Sequence, residues 1–116
     1  MKQCDQLNEA IAFVLALPSL LAGVKRYTIV SKAQLAFPNV KIAIDLVKQE
    51  HAALKVDPTL TTIQFINCFN NLSHEKKMLV KRLNKIAANL IPDETIAQLD
   101  HVDLRNYQHA QATIEA

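Results

Sequence analysis

The sequence has very little glycine and no tryptophan, and these shortages exclude several kinds of site. Among 116 residues the single glycine is Gly23, and aromatic residues make up 5%. Loops that bind phosphates or dinucleotides need several glycines at fixed spacing, and tight β-hairpins usually need at least one. We therefore expect no such loop, few hairpins, and a core built from Leu, Ile, Val and Ala.

Cysteine is also scarce, which argues against a disulfide framework or a metal site. Cys4 and Cys68 are the two cysteines, and their spacing fits neither a metal motif nor a redox motif. Buried free cysteines behave as small apolar residues. We expect both to be free thiols among apolar neighbours, and we predict no metal and no cofactor.

The charge is nearly balanced, with 13 basic and 11 acidic residues and a net charge of +2. A dedicated nucleic-acid-binding domain carries a larger excess of basic residues. The first residues lack the basic segment of a signal peptide, and no apolar run is long enough to span a membrane. These features predict a cytoplasmic protein.

Helix signals run along the whole chain. They predict one all-α domain over residues 1–116, a compact bundle of about five to six helices with short connections, which a dimer partner could complete. The predicted helices are Asp5 to Leu17 (with Pro18 ending or kinking it), 39–56, 58–72, 74–91, and a last pair after Pro92 that a cap at Asp100 or Asp103 divides. Residues 24–37 could be helical or extended, and we favour a helix from about Ser31 to Phe37. Gly23 is expected to end the first helix with a positive φ.

The predicted helix over residues 39–56 has two apolar faces, whereas a surface helix usually has one. One face includes Val40, Val47 and Leu54. The other could pack inside the bundle or against a second copy of the chain. We favour self-association, with an interface formed by Ile42, Leu46, His51 and Ala53. His51 could then be a pH-sensitive interface group, or simply a histidine of the core.

Lysines at every fourth position mark the predicted helix over residues 74–91. Lys77, Lys81 and Lys85 are on one line, with Arg82 nearby, and the line is opposite a predicted apolar stripe of Leu79, Leu83, Ile86 and Leu90. Such a line is either a solvated face or a contact surface for phosphates or an acidic partner. No aromatic residue interleaves with the lysines, which argues against base stacking.

Nothing in the sequence points to catalysis, because the acidic residues are scattered and several suit helix starts. The leading hypothesis is therefore a non-enzymatic, cytoplasmic interaction or regulatory protein that forms a homodimer. The alternative is a nucleic-acid-binding regulator that uses the lysine line. Length and helix content are also similar to those of small bacterial immunity proteins, which implies a third hypothesis: an immunity or antitoxin-like protein that binds a toxin or its target.

Overall fold

The computed structural model describes residues 2–41 and 58–116, except for the side chains of residues 2–6, 58 and 60. These residues form helices and no strand, which confirms the predicted all-α fold. The helices are α1 (Lys2–Ala22), α2 (Arg26–Ala36), α3 (Pro58–Asn70), α4 (His74–Ala88), α5 (Asp93–Gln98) and α6 (His101–Glu115).

Helix α1 is the central element of the described structure. It packs against α4, α3, α2 and α5, and only α6 has little contact with it. Its residues from Ala10 to Pro18 are all buried except Phe13, which is half-buried. A helix that is apolar on every side needs neighbours on every side. The uncharged run in the sequence therefore explains why this helix is surrounded.

Pro18 is predicted to end or kink the first helix before Gly23, and the structure shows that it does not end α1. Pro18 is fully buried, and the helix continues through it to Ala22. A proline inside a helix removes one backbone hydrogen bond and crowds the carbonyl one turn earlier. Here the surrounding helices bury the ring, and the Pro18 carbonyl accepts a hydrogen bond from the Val24 amide at 3.2 Å. Burial of Pro18 and of the apolar residues before it offsets the lost hydrogen bond.

Gly23 follows the last residue of α1 with φ +67°, which confirms the predicted helix end. A Cβ at this position would meet no other atom within 4 Å, so a substitution is costly through backbone conformation alone. We expect Gly23→Ala to lower the free energy of unfolding by about 1 kcal/mol, because the left-handed penalty exceeds the gain from a stiffer unfolded chain. Gly23→Asn should cost less, since asparagine tolerates this region. Urea denaturation measures both, and a stabilised alanine variant would contradict the assignment.

Residues 26–36 are helical, as we favoured, but the helix begins at Arg26 rather than near Ser31. It buries Ile29 and Ala33, and it ends before Pro38 as expected. The apolar residues Tyr27 and Leu35 point the other way, with 78% and 84% of their surfaces exposed. The predicted helix over residues 39–56 is described only up to residue 41, and there Asn39 is in a turn.

Side-chain caps set the helix starts that the sequence predicted. Ser73 accepts a hydrogen bond from the Lys76 amide at the start of α4, and Asp100 accepts two at the start of α6. Asp100 thus divides the last segment into α5 and α6. Helix α4 ends at Ala88 rather than Ile91, because residues 89–91 form a tighter turn in which the Ile91 amide bonds to the Ala88 carbonyl at 3.1 Å.

A row of three phenylalanine rings crosses the core. The Phe13 and Phe65 rings are stacked, with centroids 4.4 Å apart and planes 13° apart, and Phe69 follows Phe65 at 5.8 Å. The row joins α1 to α3 and ends below Lys77 of α4, whose Nζ is 5.9 Å from the Phe69 ring centroid. The hydrophobic core is therefore continuous with the surface that α4 presents.

Candidate functional site

Helix α4 buries a face that includes Leu83 of the predicted stripe but is rotated away from the rest of that stripe. Its buried residues are Val80, Leu83, Asn84 and Ala87, whereas Leu79, Ile86 and Leu90 of the predicted stripe are half-buried. Compared with the predicted stripe, the buried face is turned around the helix axis toward Val80, Asn84 and Ala87, whose side chains are smaller than leucine. The rotation is explained by Asn84, whose amide has a partner inside the protein.

That partner is Gln111 of α6. The Asn84 Nδ2 donates to the Gln111 Oε1 at 2.9 Å, and the Gln111 Nε2 donates back to the Asn84 Oδ1 at 3.1 Å. Asn84 has 4% of its surface exposed, whereas Gln111 is half-buried. Because a buried amide must be hydrogen-bonded, this reciprocal pair fixes how α4 and α6 face each other.

The rotation changes where the lysine line is located. Lys81 follows the buried Val80 by one residue, or about 100° around the helix, so the line runs beside the buried face rather than opposite it. Lys77 and Lys81 are half-buried, whereas Arg82 and Lys85 are exposed. We call Lys77, Lys81, Arg82 and Lys85 the cationic face. Its line from Lys77 to Lys85 is about 12 Å long.

Positive charge is concentrated on this one helix. Helix α4 has five cationic residues and one acidic residue, Glu75, which gives a net charge of +4. Because the whole chain has 13 basic and 11 acidic residues, the other residues have eight and ten, a net charge of −2. Helix α4 therefore has a larger net positive charge than the chain as a whole.

No residue of the cationic face forms an ion pair with a carboxylate of the described residues. Lys77 instead has its ammonium group 5.9 Å from the centroid of the Phe69 ring. An exposed ion pair contributes little to stability, so these lysines are not needed to hold the fold.

A groove of about 290 Å³ borders the cationic face. It is formed where the end of α3, the first half of α4 and the end of α6 meet, and its lining includes Phe69, Met78 and Thr113. His74, Lys77 and Lys81 also line it, together with Asn70 and Ala116. The described lining residues include no Asp or Glu, so the groove combines an apolar surface with cationic side chains.

Cys68 is half-buried rather than a core residue, and its neighbour is a carboxylate. Its Sγ is 3.9 Å from the Glu9 Oε1. Burial, and then the charge of Glu9, raise the pKa of Cys68 to about 11. The thiol is therefore protonated at neutral pH, which makes it a poor nucleophile. The side chain of Cys4 is outside the described set.

The residues of the predicted self-association interface are not among those that the structure describes. Ile42, Leu46, His51 and Ala53 all lie outside the described residues, so the interface stays a prediction that the mass of the protein in solution tests. Within residues 2–41 and 58–116, no three His, Cys, Asp or Glu side chains come together as metal ligands would.

Comparison with known proteins identifies no relative of this chain. No protein-family model, curated protein or solved structure matches the chain. The similarity to immunity proteins therefore rests on length and helix content alone. Among the described helices, none has both the length and the apolar character needed to cross a membrane.

Proposed function

We propose that this chain is a non-enzymatic helical binding protein that holds an acidic protein partner on the cationic face. The observation that carries the proposal is the charge division, with net +4 on α4 against net −2 on the rest of the chain. Such a field steers an acidic partner toward one helix and orients it there. Within the described part of the chain no carboxylate pairs with these cations, which supports the proposal.

An acidic protein suits this surface better than a nucleic acid does. The cationic face has one arginine, and the aromatic ring next to it, Phe69, is buried, so the face offers little for reading or stacking bases. A long polyanion would extend past this one helix onto the rest of the chain, whose net charge is −2, whereas a short acidic segment of a protein need not. A phosphate backbone has no apolar side chain to bury in the groove next to Lys77 and Lys81. A protein partner has both carboxylates and apolar side chains.

Charge alone sets a modest affinity. An exposed ion pair contributes about 0.2–1 kcal/mol, so four pairs give at most about 4 kcal/mol. That corresponds to a dissociation constant of about 1 mM. A tighter complex therefore needs apolar contact in addition to the four cations.

The test reverses one charge at the centre of the face. We expect Lys81→Glu to weaken binding of a fluorescent peptide of alternating Glu and Leu by about tenfold, because one attraction is lost and one repulsion is added. Fluorescence anisotropy at about 0.05 M and about 0.15 M salt measures it. Wild-type binding should weaken as salt rises, since exposed charges are screened.

Lys32→Glu is the matched control, because Lys32 is an exposed lysine on α2. It changes the net charge of the protein by the same amount at a different place. We expect its affinity to stay within about twofold of wild type at the higher salt, where screening is strong. Equal losses in both variants would mean that net charge alone governs binding. Tighter binding of a duplex DNA oligonucleotide than of the peptide would favour the nucleic-acid alternative instead.

A further inference from the structure

We infer that the groove beside Lys77 and Lys81 receives an apolar side chain of the acidic partner, so that the site recognises an apolar residue flanked by carboxylates. This inference rests on the proposed function. It assigns a separate role to each part of the surface: the lysines attract the partner, and the groove selects it.

The size of the groove suits a side chain rather than a cofactor. Its volume of about 290 Å³ is at the lower limit of ligand pockets, which usually span about 300–1,000 Å³. Phe69 is buried and its ring supports one side, while Met78 keeps 36% of its surface exposed. Methionine is a flexible side chain that adapts to different apolar shapes. An aliphatic or aromatic side chain of a partner would cover it.

The positions of the cations define what must surround that apolar side chain. Lys77 and Lys81 are one turn apart on α4 and both line the groove, and His74 lines it one turn before Met78. The Lys77 Nζ is 5.9 Å from the Phe69 ring centroid, so both residues are at the same side of the groove. Carboxylates on both sides of the apolar residue would therefore meet cations, whereas a neutral apolar peptide would leave the cations unpaired.

Two peptides of equal length and charge test the inference, one alternating Glu and Leu and the other alternating Glu and Ala. We expect the wild-type protein to bind the Glu–Leu peptide about tenfold more tightly by fluorescence anisotropy, because leucine buries more apolar surface than alanine. Met78→Ser should reduce this preference to about twofold, with most of the loss in affinity for the Glu–Leu peptide.

Val102→Ser is the matched control, because Val102 is an exposed apolar residue of α6 outside the groove. It should keep the full preference, and circular dichroism should show that both variants fold. Equal affinity for the two peptides would overturn the inference, and the proposed function would stand if Lys81→Glu still weakened both. If neither peptide bound the wild-type protein, both proposals would fail.

Discussion

Phe65→Ala is expected to lower the free energy of unfolding by about 3–5 kcal/mol. The Phe65 side chain has 3% of its surface exposed and is the middle ring of the row that joins Phe13 to Phe69. Its removal leaves a cavity and ends two ring contacts at once. Small domains have only about 5–15 kcal/mol of net stability, so this variant should be close to unfolding. Urea denaturation followed by circular dichroism measures the loss.

Phe37→Ala is the control for this prediction. Phe37 follows α2 and is half-buried at the edge of the core, outside the ring row. The same atoms are removed, but less surface is lost from the core, so the loss should be clearly smaller. Equal losses for Phe37→Ala and Phe65→Ala would show that the ring row is not a special feature of the core.

Gln111→Leu is expected to cost about 1–3 kcal/mol, because it leaves the buried Asn84 amide without its partner. Asn84→Leu should cost less. Gln111 is half-buried, so its amide can turn toward water, whereas Asn84 with 4% exposure cannot. Each variant loses the same two hydrogen bonds. The difference between the two losses of stability is therefore set by how deeply the remaining amide is buried.

The double variant Asn84→Leu with Gln111→Leu completes a double-mutant cycle. Removing both polar groups leaves no unsatisfied amide, so most of the stability should return. Equilibrium denaturation of the four proteins gives the coupling energy. A double variant that loses the sum of the two single losses would mean that the pair contributes nothing beyond its separate side chains.

Local chemistry explains which parts of the fold the sequence could predict. Ser73, Asp100 and Gly23 act on the backbone within a few residues of their own position, so their roles are visible in the sequence. The sequence leaves open whether α1 ends at Pro18 or continues to Gly23, because the outcome depends on tertiary packing. Neighbouring helices bury that proline, and no local pattern reports their presence.

The orientation of α4 was missed for a related reason. A stripe of large aliphatic residues is the usual sign of a buried face, and it pointed to Leu79, Leu83 and Ile86. A buried asparagine looks like a surface residue until its partner is known, and Gln111 is 27 positions away. The polar side chain of Asn84 therefore argued against the face that α4 in fact buries.

The candidate site was predictable in one part and not in the other. The cationic residues were found because their spacing of four residues is a helical period. The groove was not found, because Phe69, Met78 and Thr113 come from three helices and meet only in space. The difference in net charge between α4 and the remaining residues can be counted from the sequence, but only after the bounds of α4 are known.

The location of the bound peptide tests the central claim most directly. Titration of the isotopically labelled protein with the Glu–Leu peptide, followed by amide chemical shifts, shows which residues meet it. We predict that the largest shifts occur in the first half of α4, with further shifts near Phe69 and Thr113. Shifts confined to α2 or to residues 42–57, or no saturable shifts at all, would contradict the assignment of the cationic face as the binding site.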